Sequence, residues 1–133
     1  MSYVTCGLLK RNKLMQNNFR DLKVWNVAMD LAVVVYDLTA KLPDSENFGL
    51  VSQMRRACVS ISSNIAEGSG RGSNPQFSQF LGFAQGSAFE LETQLLLVER
   101  MNLLSSEEIK EAIDLLHYIQ KMTFKLKQSL SKK

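Results

Sequence analysis

The segment from Gln53 to Arg71, QMRRACVSISSNIAEGSGR, limits the fold of this chain more than any other. With Leu50 just ahead of it, Met54, Ala57, Cys58, Ile61 and Ile65 recur at three- and four-residue steps, which predicts a helix with one buried face. At about 100° per residue the opposite face carries Ser52, Arg55, Val59, Ser62, Ser63 and Ala66. A solvated helix face is normally rich in Lys and Glu, whereas this one is small and nearly uncharged. Val59, Ser62, Ser63 and Ala66 are therefore expected in contact with another subunit.

A chain of 133 residues, 45% apolar and 22% charged, is sized and composed for one globular domain with its own core. Two prolines and seven glycines favour long helices over a many-turned β architecture. Cys6 and Cys58 have neither metal-ligand nor redox spacing, and Cys58 on the apolar stripe reads as a buried small hydrophobe in a cytoplasmic protein. The most apolar run, Val24 to Leu38, is interrupted by Asn26, Asp30 and Asp37, so no transmembrane span is expected. The N-terminus lacks the apolar centre of a signal peptide.

Net charge is +3, and its placement is informative. Four basic groups and no acid fall in residues 1–20, and five lysines and no acid in residues 117–133. Between Lys41 and Lys110 there is no lysine. From Ala57 to Phe89 only Glu67 and Arg71 are charged. Such a stretch predicts a covered surface.

Residues 1–18 lack periodicity and read as a frayed basic leader, with Met15 a candidate start; the domain is expected over 19–130. A first helix is predicted over about 21–42. Its two stripes, Trp25/Met29/Ala32/Tyr36 and Val24/Leu31/Val35/Leu38, give more apolar surface than one core requires. PDSENFG is the following turn. The second helix is expected over about 48–67, with Gly68 as a left-handed C′ residue. GSGRGSNP then leads to Pro75, with Ser73 or Asn74 as N-cap. No strand precedes this loop and no Gly-Lys-Ser/Thr follows it, so a hairpin is favoured over a phosphate loop. The third helix, about 75–102, has a core heptad Phe77, Leu81, Ala84, Ala88, Leu91, Leu95, Val98. Its outward face bears Gly82, Gly86, Phe89, Thr93, Leu96 and Leu97, a second expected interface. The fourth helix opens with a capping box, Ser105 and Glu108, and its apolar stripe runs from Ile109 to Leu130. Its acidic first half and basic second half suit the helix dipole.

No catalytic constellation is visible. His117 is the only histidine, and HExxH, CxxC and nucleophile-elbow motifs are missing. Glu90 and Glu92 point about 160° apart, and the Glu-x-x-His pattern of di-iron bundles is missing. No enzyme, metal or cofactor is expected. Arg55, Arg56 and Arg71 are the sharpest candidates. They suit phosphate contact, and they equally suit ion pairs with Glu67, Glu90, Glu92 or Glu99. Lys121, Lys125 and Lys127 add a basic C-terminal turn.

FRDLKVWNVAMDLA, QMRRACVSISSNIAEGSGR and FSQFLGFAQGSAFELETQL resemble the bacterial four-helix-bundle proteins encoded in 23S rRNA intervening sequences, sometimes labelled S23 ribosomal protein. The likeness spans about Phe19 to Leu126. Its specific elements stand at Arg55–Ala57, Asn64–Gly68 and Gly70–Arg71. The resemblance implies an all-α, antiparallel up-and-down four-helix bundle that forms a ring-like homopentamer. The residues themselves point to a homo-oligomer of unspecified order. Related bundles act as accessory variability determinants of diversity-generating retroelements and bind nucleic acid and the reverse transcriptase. Two readings of function follow: an oligomeric accessory factor binding RNA or DNA phosphates, or an assembly scaffold for a protein partner.

Overall fold

The computed structural model describes residues 18–131, so the leader, Met15, Cys6, Lys132 and Lys133 lie outside the described residues. Asn18, placed by periodicity at the end of the leader, belongs to the folded part: its side chain accepts from Arg20 N and caps a 3-10 turn, Phe19–Asp21. Leu22 is extended (φ −79°, ψ 122°), which separates that turn from helix α1, Lys23–Thr39. The first helix is thus shorter than expected at both ends. Asn26 Nδ2 donates back to the Arg20 and Leu22 carbonyls, and Phe19 packs edge-on to Trp25 at 4.9 Å, fastening the entry turn.

Helix α2, Ser52–Ser69, is preceded by a wide π turn, Asn47–Val51. Helix α3 is Asn74–Arg100 and α4 is Ser106–Ser131. No strand occurs among the described residues, and no helix is long and apolar enough to cross a membrane. Packing closes on itself, because α1 touches α2 and α4 while α3 also touches α2 and α4. One core lies between them, built from Ala28, Leu31 and Val35 of α1, Met54, Ile61 and Ile65 of α2, Leu81, Leu91 and Leu95 of α3, and Leu116 and Ile119 of α4, all fully buried. The buried stripes of α2, α3 and α4 follow the sequence periodicity. Of the two stripes on α1, Val24/Leu31/Val35/Leu38 is buried, and Met29 and Tyr36 of the other remain exposed.

The caps form as the residue types dictate. Ser73 Oγ accepts from Gln76 N at the start of α3. In the reciprocal Ser105–Glu108 box, Glu108 N donates to Ser105 Oγ at 3.1 Å and Ser105 N donates to Glu108 Oε1 at 2.8 Å. Gly68 differs from expectation. It lies inside α2 rather than past its end, and the left-handed glycine of this connection is Gly72, at φ 87°. Gly68 is required by packing, since a Cβ there would meet Phe80 and Phe77 of α3.

Candidate nucleic-acid interface

The three arginines are not free. Arg55 turns towards α1, where Nε donates to Thr39 Oγ1 at 2.8 Å, one Nη donates to the Tyr36 carbonyl at 3.3 Å, and the guanidinium lies 4.5 Å from the centre of the Tyr36 ring. Thr39 in turn donates to the Val35 carbonyl at 2.8 Å. This is a helix–helix clamp, in which a polar group near the core finds its partners. Arg56 faces α3 and reaches Glu90 at 3.7 Å, an exposed pair that stabilises little. Arg71 pairs with Glu67 one turn before it and stacks on Phe80 at 4.8 Å. The ion-pair alternative therefore describes Arg56 and Arg71, and Arg55 answers to neither reading: its partners are a hydroxyl, a carbonyl and a ring.

The lysines divide. Lys127 Nζ donates to the Ser78 carbonyl at 3.2 Å, in a space that the bare Cα of Gly82 leaves open: a Cβ there would lie 3.3 Å from that nitrogen. Gly82, expected at a subunit contact, thus has a role within the chain. Lys121 and Lys125 are exposed one helical turn apart, with no hydrogen-bond or ion-pair partner among the described residues. Lys125 shares a groove of about 280 Å³ with Lys23, between Leu22 and Val24 on one side and Met122 and Leu126 on the other. Lys23 is likewise unpaired among the described residues, so two ammonium-bearing side chains that no local sequence pattern joins line one groove, and Lys121 lies one helical turn from it on α4. Lys23 is invisible to sequence reasoning because its partners lie about 100 residues away along the chain; only the packing of α1 on α4 brings them together.

Several polar residues between helices are satisfied locally, whereas the buried Gln94 donates to Glu90 and leaves its side-chain oxygen without a partner among the described residues. Ser60 and Ser87 hydroxyls meet at 2.9 Å across α2 and α3, and Asn64 Nδ2 donates to the Ser60 carbonyl and hydroxyl. His117 is exposed and meets Glu92 at 2.9 Å, while Gln120 donates to the other Glu92 oxygen at 2.8 Å. Gln120 first, with His117 behind it, holds the Glu92 carboxyl below its ordinary range despite partial burial. Cys58 is buried, and burial pushes its thiol up to about 11. Among the described residues no group of three or more His, Cys, Asp or Glu is placed to hold a metal ion.

Of the residues expected at subunit contacts, Val59, Ser63, Gly86, Phe89 and Leu96 are exposed, Phe89 at 58%, and Ala66 is half-buried. Ser62 is a correction. It sits towards α1 on the α2 wheel and is only 6% exposed, with its hydroxyl donating to the Val59 carbonyl. Met29, Val33 and Tyr36 on the outer side of α1 are also exposed.

Comparison with protein families matches residues 20–125 to the family described as 23S rRNA-intervening sequence protein. No curated protein matches the chain. On that match, which takes in nearly all of the described residues, the chain belongs to the 23S rRNA-intervening sequence protein family.

Proposed function

Starting from that membership, we propose that this chain is a non-enzymatic, cytoplasmic accessory factor that binds RNA or DNA phosphates as a homo-oligomer. The observation that carries the reading is that Lys23 and Lys125, exposed and without acidic partners among the described residues, line one groove, with the exposed Lys121 one helical turn before Lys125. An antiparallel up-and-down arrangement of the four helices accounts for it. The start of α1, the end of α2, the start of α3 and the end of α4 then share one end, as the contacts of Gly68 with Phe80 and of Lys127 with Ser78 support. That end carries Arg20, Lys23, Arg71, Lys121, Lys125 and Lys127 against Asp21 and Glu67. The other end collects Asp37, Asp44, Glu46, Glu99, Glu107 and Glu108 against Lys41, Arg100 and Lys110.

One such end is a weak ligand for a polyanion. A homopentamer, the order that the family resemblance implies, would repeat it around a ring and make it multivalent. The exposed apolar faces of α1 and α3 support assembly. Binding would be mainly electrostatic, with the exposed Phe124 between Lys121 and Lys125 the one aromatic placed to stack a base. A reverse transcriptase, the protein partner of the retroelement bundles, belongs to the same reading. The alternative, a scaffold for a protein partner with no direct nucleic-acid role, is favoured by the paired state of Arg56 and Arg71.

Fluorescence polarisation of an unstructured RNA oligonucleotide at low salt tests the proposal. Lys121→Glu/Lys125→Glu should weaken binding at least tenfold, while Arg56→Ala should leave it within about twofold, as an ion-paired surface residue would. Absence of binding by the wild-type chain would leave the scaffold.

A further inference from the structure

We propose that the outer stripe of α1 in one copy of this chain seats on the outer stripe of α3 in a second copy, a head-to-tail contact between two different faces; this rests on the homo-oligomer reading above and specifies its interface. Each face is apolar, and neither is used by the bundle. On α1, Met29, Val33 and Tyr36 recur at steps of four and three and are 43%, 63% and 43% exposed. On α3, Phe89, Leu96 and Leu97 are exposed beside Gly86, where added side-chain atoms would meet nothing within 4 Å. Leu96, Leu97, Thr93 and Arg100 line a shallow depression of about 250 Å³, large enough for a protruding side chain. Tyr36 is such a side chain, its ring steadied by the Arg55 guanidinium 4.5 Å away.

Charge chooses the pairing of unlike faces. Asp30 and Asp37 flank the α1 stripe, exposed and unpaired among the described residues. Arg100 is the one basic residue on the α3 stripe, beside Glu99 at its edge, and is also exposed and unpaired among the described residues. Arg55, on the other flank of the α1 stripe, has Nε and one Nη committed to Thr39 and Tyr36. Two α1 faces brought together would oppose four carboxylates, whereas α1 against α3 sets Arg100 among two of them. A contact between unlike patches closes into a ring or runs on as a filament, and leaves no copy of either apolar face uncovered in the ring.

The test uses two variants whose mutated positions are already exposed, Val33→Asp on α1 and Leu96→Asp on α3, with circular dichroism to confirm native helicity. Light scattering should return the 15 kDa monomer for each alone. Mixed, they should form a one-to-one heterodimer, because each keeps the face that the other lacks. Arg100→Asp should weaken assembly at least tenfold, and Arg100→Asp with Asp30→Arg/Asp37→Arg should restore it. Folded variants that stay oligomeric, or a mixture that stays monomeric, overturn the α1–α3 contact while leaving a wild-type oligomer intact. A monomeric wild-type chain overturns the homo-oligomer reading itself.

Discussion

A Cβ added to Gly68 would lie 2.6 Å from the Cβ of Phe80, so α2 can meet α3 at this point only with a bare Cα. Phe77 Cδ1 at 3.1 Å and the Phe77 carbonyl at 3.4 Å close the other directions. Because the nearest atom is the Cβ of Phe80, which no rotamer change moves, side-chain adjustment alone cannot make room. Gly68→Ala should destabilise the bundle by about 1–3 kcal/mol, the usual effect of overpacking a helix contact, despite the better helix propensity of Ala. Thermal unfolding checks it; an unchanged or raised midpoint would mean that the helices are further apart here.

Arg55 and Thr39 make the corresponding contact between α1 and α2. Arg55→Ala should cost about 1–2 kcal/mol through loss of a charged hydrogen bond. In a double-mutant cycle with Thr39→Val the two losses should be less than additive. Urea unfolding of the four proteins measures the coupling. Additive losses would separate the residues energetically.

Glu92 should make stability depend on pH. Its carboxyl titrates below the ordinary range in the folded chain, with Gln120 the main cause and His117 a lesser one. A depressed folded-state value stabilises above the unfolded carboxylate pKa of about 4.3, and that stabilisation is lost as pH falls through the folded value. Glu92→Gln should therefore lower the unfolding midpoint at pH 7 and make little difference near pH 3. An equal loss at both pH values would assign Glu92 a packing role instead.

The buried faces of α2, α3 and α4 were legible in the sequence, because a 3.6-residue stripe is a property of one segment, whereas α1 offered two stripes and only packing chose between them. The stripe through Met54, Ile61 and Ile65 and the heptad through Leu81, Leu91 and Leu95 lie where periodicity put them. What was not legible depends on a second helix. Gly68 looks like a helix stop until Phe80 is set against it. Arg55 looks like a phosphate ligand until Thr39 and Tyr36 are seen beneath it. Ser62 looks outward on a wheel drawn for α2 alone, and the packing buries it. Among the lysines, Lys127 is tied to the Ser78 carbonyl, and Lys23 has neighbours that no local pattern announces.

The most direct test of a phosphate-binding oligomer is the slope of log K against log salt for single-stranded RNA, measured for wild type and for Lys121→Gln/Lys125→Gln. Each phosphate neutralised contributes about −0.7 to the slope, so a multivalent basic surface predicts a steep line for the wild type. Removing the two lysines should flatten it by about 0.7 for each phosphate that is no longer neutralised. A wild-type slope near zero, or identical slopes for the two proteins, would contradict the account.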